Sequence, residues 1–195
     1  MSSTSRKTIE RILECAQNEL VAGGYAGFTM RHVAEAAGIS PGHLAYHYPT
    51  KQDLLHAMVR QIITELSRQF NALLSNPDLS YSRGLEQFVR QLLTDSITEN
   101  IVRTFRELWV ISLHDEVVCN AVDDLYDAVM GSVVELLQRS LPDADPRAIR
   151  ESIQLLALVS EGSAVLYGTR QARAVPHERI IEIVIKVIDS LINPT

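Results

Sequence analysis

From Thr8 to Ile192 apolar side chains return every three or four positions, and no run of strict alternation bounded by hairpin turns interrupts them. That period belongs to helices with one face turned to a core, so the expected fold is all-α. Glycine, proline and capping residues divide the pattern into about nine helices, over 8–21, 30–37, 41–47, 51–74, 82–97, 99–113, 115–140, 146–170 and 177–192. With 46% apolar and 22% charged side chains in 195 residues, the chain has enough material for a buried core. It has no run of about 18 uncharged apolar residues able to span a bilayer. The N-terminal "MSSTSRKTIERILEC" carries charges where a signal peptide needs its apolar centre, which leads to the expectation of a cytoplasmic protein with no membrane partner. Cys15 and Cys119 match no zinc or redox spacing and read as two thiols in a reducing compartment.

One stretch departs from the long amphipathic pattern. "VAEAAGISPGHLAYHYPTKQDLL", residues 33–55, crowds turn formers, helix-start signals and ring-bearing side chains into two short helices and the start of a long one. Thr29 stands where an N-cap belongs, and Gly38 follows the end of the first short helix. Ser40-Pro41 places a capping hydroxyl before a proline at the first helical position. "TKQD", residues 50–53, is a capping signal for the long helix over 51–74. Two short helices joined by a tight glycine turn, with Val33, Ala37, Ile39 and Leu44 as interior contacts, form a helix-turn-helix layout, in which the second helix enters the major groove of DNA.

The charge distribution agrees with that layout. The chain carries −6 overall, yet residues 1–60 hold six basic and five acidic side chains and four of the six histidines, while the rest holds twelve basic against nineteen acidic. A slightly basic head on an acidic body is compatible with a phosphate-contacting end.

Over residues 8–60, and most clearly in "ILECAQNELVAGGYAGFTMRHVAEAAGISPGHLAYHYPTKQDLL", the sequence resembles the TetR family of bacterial transcriptional regulators. The resemblance implies an N-terminal helix-turn-helix DNA-binding domain and a C-terminal helical ligand-binding and dimerisation domain, commonly in a repressor released from its operator by a small molecule. The corresponding division is 1–50 and 51–195, with the helix over 51–74 connecting the two. At Ala45 the chain departs from the family pattern, which has Tyr there in many members, so a tyrosine contact at that position is missing. Together with "FRELWVISLHD", residues 105–115, that small residue is similar to the betaine-synthesis repressor branch.

Chemistry and family pattern together nominate the DNA contacts. Thr29 sets backbone N–H groups at a helix start suited to phosphate, and Arg31 is a further phosphate candidate. Ser40, Gly42 and His43 open the recognition helix, where nearness to base edges matters most, and Gly42 removes a side chain from the approach. Tyr46 and His47 offer an O–H and an imidazole N–H, and Lys51 a cation for phosphate. His43 and His47 also stand four apart, as a zinc pair would, but Leu44 occupies the place of the metalloprotease glutamate and no third ligand is spaced nearby. No nucleophile elbow or phosphate-cradling glycine loop exists in the sequence, so no catalytic residue, metal or cofactor is expected. A helical interaction module that does not bind DNA is the alternative function, and a small all-α enzyme ranks third.

The body of the chain supports two further expectations. "IQLLALVSEGSAVLYG" (153–168) and "RIIEIVIKVIDSLI" (179–192) are apolar on nearly every side, which calls for burial on nearly every side. A second copy is the simplest cover, giving a homodimer through the helices over 146–170 and 177–192. Phe88, Phe105, Arg106, Trp109, His114, Tyr126, Met130 and Glu161 mix aromatic walls with polar handles, as a small-molecule cavity does. Phe105, Trp109, His114, Tyr126 and Glu161 are the ligand-binding candidates. A carboxylate in an apolar helix needs a partner, so Glu161 is expected to meet an internal cation or a cationic ligand, or else to bond across the dimer or face solvent.

Overall fold

A computed structural model describes residues 3–75, 86–87, 89–90, 93–94, 99–166, 168–170 and 174–193. Among the described residues there are no strands. Eight helices are bounded: α1 (Ser3–Gly27), α2 (Met30–Ala36), α3 (Pro41–His47), α4 (Lys51–Leu74), α5 (Glu99–Ser112), α6 (Glu116–Ser140), α7 (Pro146–Leu166) and α8 (His177–Ile192). The helix expected over 82–97 falls largely outside the described residues, as does Phe88, although Glu86, Gln87, Val89, Arg90, Leu93 and Thr94 are helical. None of the described helices is long and apolar enough to cross a membrane.

The chain packs as two compact units. The first joins Met1–Leu66 to Arg103–Leu125, and the second joins Ser67–Val102 to Tyr126–Thr195. Consequently α4, α5 and α6 each supply residues to both.

In the first unit, α1 begins at Ser3, earlier than the apolar period indicates. Its polar opening turns have no apolar stripe to read, and an exposed Arg6–Glu10 pair at i,i+4 contributes a few tenths of a kcal/mol at most. The expected glycine stop falls at Gly24, whose φ of 64° and ψ of 179° break the helix before a short helical turn resumes through Gly27. Glycine is the residue that adopts such a φ without steric cost. Ile12, Leu13, Ala16 and Leu20 form the buried stripe of α1, while Phe28, Val33, Ala34, Ala37 and Leu44 are the buried residues of the following segment. Ile39, expected inside, is half-buried.

In the second unit, α7 buries Ile149, Ile153 and Leu156, and α8 buries Ile181, Val184, Ile188 and Ile192, in one apolar cluster with Val133 and Leu137 of α6. Burial on every side is not what the chain provides: Leu158, Val165 and Leu166 of α7 and Ile183 and Val187 of α8 are exposed. The two helices therefore bury one stripe each and present a second apolar stripe outward. The start of α8 is tied down by polar contacts. His177 Nε2 lies 3.0 Å from the Leu93 carbonyl, and Arg90 bonds to both Glu86 and Glu178.

Candidate nucleic-acid interface

The turn between α2 and α3 is closed by backbone chemistry that the sequence specifies locally. The Thr29 hydroxyl accepts the His32 N–H at 3.2 Å and starts α2. At the other end the Gly38 N–H bonds to the Glu35 carbonyl at 3.1 Å and the Ile39 N–H to the Ala34 carbonyl at 3.0 Å. That pair of bonds is a Schellman motif, and it requires the left-handed φ of 63° found at Gly38. Arg11 of α1 donates to the Ala37 carbonyl, placing a cation at the negative end of α2. The Ser40 hydroxyl then accepts the His43 N–H at 3.1 Å, with Pro41 opening α3.

With Leu44 fully buried, the opposite side of α3 is presented outward. Ser40, Gly42, His43, Ala45 and Tyr46 are all exposed, and His47 is half-buried. Tyr46 is 82% exposed, an extreme value for an aromatic side chain. Its ring meets His47 edge-on at 5.3 Å between centroids, and the His43 and His47 rings lie 5.2 Å apart. A Cβ added at Gly42 would meet nothing within 4 Å, so interior packing gives no reason for glycine there. Tyr48, by contrast, turns inward enough that burial pushes its phenol up.

Two of the candidate cations are already engaged. Arg31 pairs with Glu35 at 2.9 Å on the exposed face of α2, and that hydrogen bond raises its pKa. Lys51 points its ammonium back at the turn between α1 and α2. Nζ donates to the Tyr25 carbonyl at 3.1 Å and sits 4.0 Å from the centre of the Tyr25 ring and 5.5 Å from that of Phe28. Partial loss of hydration lowers its pKa. The backbone at Lys51 is the first turn of α4, capped by Thr50 and Asp53: Thr50 Oγ1 donates to the carboxylate at 2.6 Å and accepts the Asp53 N–H at 3.1 Å.

Sequence reasoning did not single out the polar groups behind this surface. The Tyr25 N–H donates to Glu107 at 2.9 Å, and the Tyr25 hydroxyl to the Gln52 side-chain oxygen at 3.3 Å. Gln52 in turn donates to Asp115 at 3.1 Å, and Asp115 lies 2.9 Å from His56 Nε2. Asp115 also accepts the N–H groups of Val117 and Val118 and so caps α6. Burial pushes its carboxyl up, but the His56 hydrogen bond, the two backbone N–H groups and the charge of His56 outweigh this and hold it below the usual carboxylate value.

The ligand candidates divide between the units. Phe105, Trp109 and His114 belong to the first, with Phe105 half-buried and Trp109 and His114 exposed. Tyr126 and Glu161 belong to the second and meet there, the tyrosine hydroxyl donating to the carboxylate. The partner of Glu161 named by this bond is thus a phenol of the same chain.

Residues 12–58 match the family model described as bacterial regulatory proteins, tetR family. An uncharacterized HTH-type transcriptional regulator from the dhlA 5' region of Xanthobacter autotrophicus is 27% identical over 161 residues, covering 80% of this chain and 77% of that protein. A TetR-family transcriptional regulator of Mesorhizobium loti superposes with a TM-score of 0.81 at 17% identity, covering 98% of each chain. A Saccharomonospora viridis transcriptional regulator solved in complex with choline gives 0.75 at 20% identity, over 94% of this chain and 96% of that one. At such identities the solved structures speak for the fold alone.

Proposed function

Since this chain belongs to the TetR family of DNA-binding transcriptional regulators, we propose that it is a homodimeric repressor that a small molecule releases from a palindromic operator. The capped α2–α3 pair with its outward Tyr46 carries this reading. Within it, residues 1–50 read DNA, the rest binds the effector and the second copy, and α4 connects the two functions. Ser40, Gly42, His43, Tyr46 and His47 meet bases and backbone in the major groove. Thr29 and Arg31 meet phosphate, Arg31 after exchanging Glu35 for it.

The second, outward stripe of α7 and α8 supports the dimer, because Leu158, Val165, Ile183 and Val187 would gain burial against a two-fold copy. Two copies set two recognition helices near one DNA turn apart or a multiple of it. For the effector, Phe105, Trp109 and His114 in the first unit and Tyr126 with Glu161 in the second remain our candidates. An effector that binds one operator spacing better than another shifts the population of DNA-competent dimers by its difference in affinity.

The test is enrichment of duplexes from a random pool by the wild-type chain, followed by the mass of the complex. Two protomers per duplex on an inverted repeat are expected. Leu158→Glu with Ile183→Glu should give monomers that no longer retain the duplex, because each new carboxylate would have to be desolvated at the contact. Tight binding by a monomer would contradict the dimer.

A further inference from the structure

We propose that Lys51 is a positioning residue for DNA recognition, acting through Tyr25 within a polar clasp that Gln52, Glu107 and Asp115 complete, and that it is not a phosphate ligand. The inference rests on the DNA-binding reading above and assigns to the start of α4 a role different from direct contact.

Tyr25 is the hub. It follows the Gly24 break and precedes the Thr29 cap, so its placement sets the entry into α2. Each of its polar groups is taken: the N–H by Glu107, the carbonyl by Lys51 Nζ, and the hydroxyl by Gln52. Its ring face is covered by the same ammonium at 4.0 Å. Gly24 belongs to the arrangement too, because a Cβ there would lie 3.4 Å from the Glu107 carboxylate at a φ of +64°.

Swinging Lys51 Nζ out of the clasp toward a phosphate would give up the carbonyl bond and the ring together. The exchange would loosen the turn that holds α2, and with it the Schellman turn and α3. Gln52, adjacent in sequence, extends the clasp to Asp115, which is itself fixed by His56 and by the first N–H groups of α6. Residues 103–125 thereby grip the DNA-reading segment through two carboxylates, Glu107 and Asp115, inside one compact unit.

A phosphate ligand and a positioning residue differ in salt dependence. Removing a cation that displaces a counterion lowers the slope of log K against log salt by about 1, whereas a residue that only orients others leaves the slope in place. The measurement is the affinity of wild type, Lys51→Ala, Glu107→Ala and Glu107→Gln for a duplex enriched by the wild type, across a salt series. Hydrogen exchange at the Tyr25 amide is followed in the free proteins. We expect Lys51→Ala to weaken binding roughly tenfold with an unchanged slope. Glu107→Ala should do the same and expose the Tyr25 amide to exchange, and Glu107→Gln, which keeps an acceptor, should recover most of both. A slope lowered by about 1 for Lys51→Ala, or affinities untouched by Lys51→Ala and Glu107→Ala, would overturn the positioning role alone. A wild type that enriches no duplex would remove the DNA-binding reading and the role with it.

Discussion

The segment from Phe28 to Asp53 and the pair α7–α8 are both helical, but they are held by different physics. In the first, helices of seven residues are too short to stand on propensity, and each is started by a side-chain cap, Thr29 or Ser40. In the second, α8 has no side-chain capping bond at Pro176, and Ile181, Val184, Ile188 and Ile192 fix it by burial. Recognition needs an exposed helix in one defined place, which caps and turns supply without covering the reading face. Association needs apolar area, which long helices supply on two sides.

The contrast is sharpened most by a core truncation. Ile188→Ala should cost about 2–5 kcal/mol of unfolding free energy in chemical denaturation. A cost near zero would mean that α8 is held by something other than its buried stripe. Next comes the turn: Gly38→Ala forces a side chain into the left-handed region and should cost about 1–2 kcal/mol. A neutral Gly38→Ala would break the claim that backbone chemistry fixes α3.

The way the two regions could be read from the sequence follows from the same difference. Caps are local chemistry, so α2 and α3 begin where Thr29 and Ser40-Pro41 indicate, and the turn at Gly38 ends α2 through bonds from Gly38 to Glu35 and from Ile39 to Ala34. The outward stripe of α7 and α8 was visible only as excess apolarity, because which face one chain covers depends on packing between helices distant in sequence. The direction of Lys51 was hidden for a related reason: its choice between phosphate and Tyr25 is made by a turn 26 residues earlier. The long-range partners of Glu107 and Asp115, Tyr25 and His56, carried no signal, since they lie 82 and 59 residues away. Glu161 announced that it needed a partner, and Tyr126, 35 residues earlier, could not be named without the fold.

A smaller effect is expected from acid. The Asp115 carboxyl is 10% exposed, and its folded pKa lies below its ordinary value of 3.8. Its stabilising contribution is therefore complete above 3.8 and is lost as pH falls through the folded value. Asp115→Asn should flatten the acid limb of a stability-against-pH curve, and an unchanged limb would show that other carboxylates dominate it. The smallest change in stability is expected at Gly42. No atom crowds its missing side chain, so Gly42→Ala should raise helix stability by at most about 1 kcal/mol. If close approach of the backbone to DNA is its purpose, operator affinity should fall even as thermal stability holds or rises.

The most direct test of the DNA-reading role of α3 is fluorescence anisotropy of the wild type and Tyr46→Ala against duplexes taken from the protein's own genome, at two salt concentrations. Palindrome-selective, salt-sensitive binding that Tyr46→Ala loses while its circular dichroism and melting stay unchanged is the predicted result. Binding by Tyr46→Ala as tight and as selective as that of the wild type would contradict it.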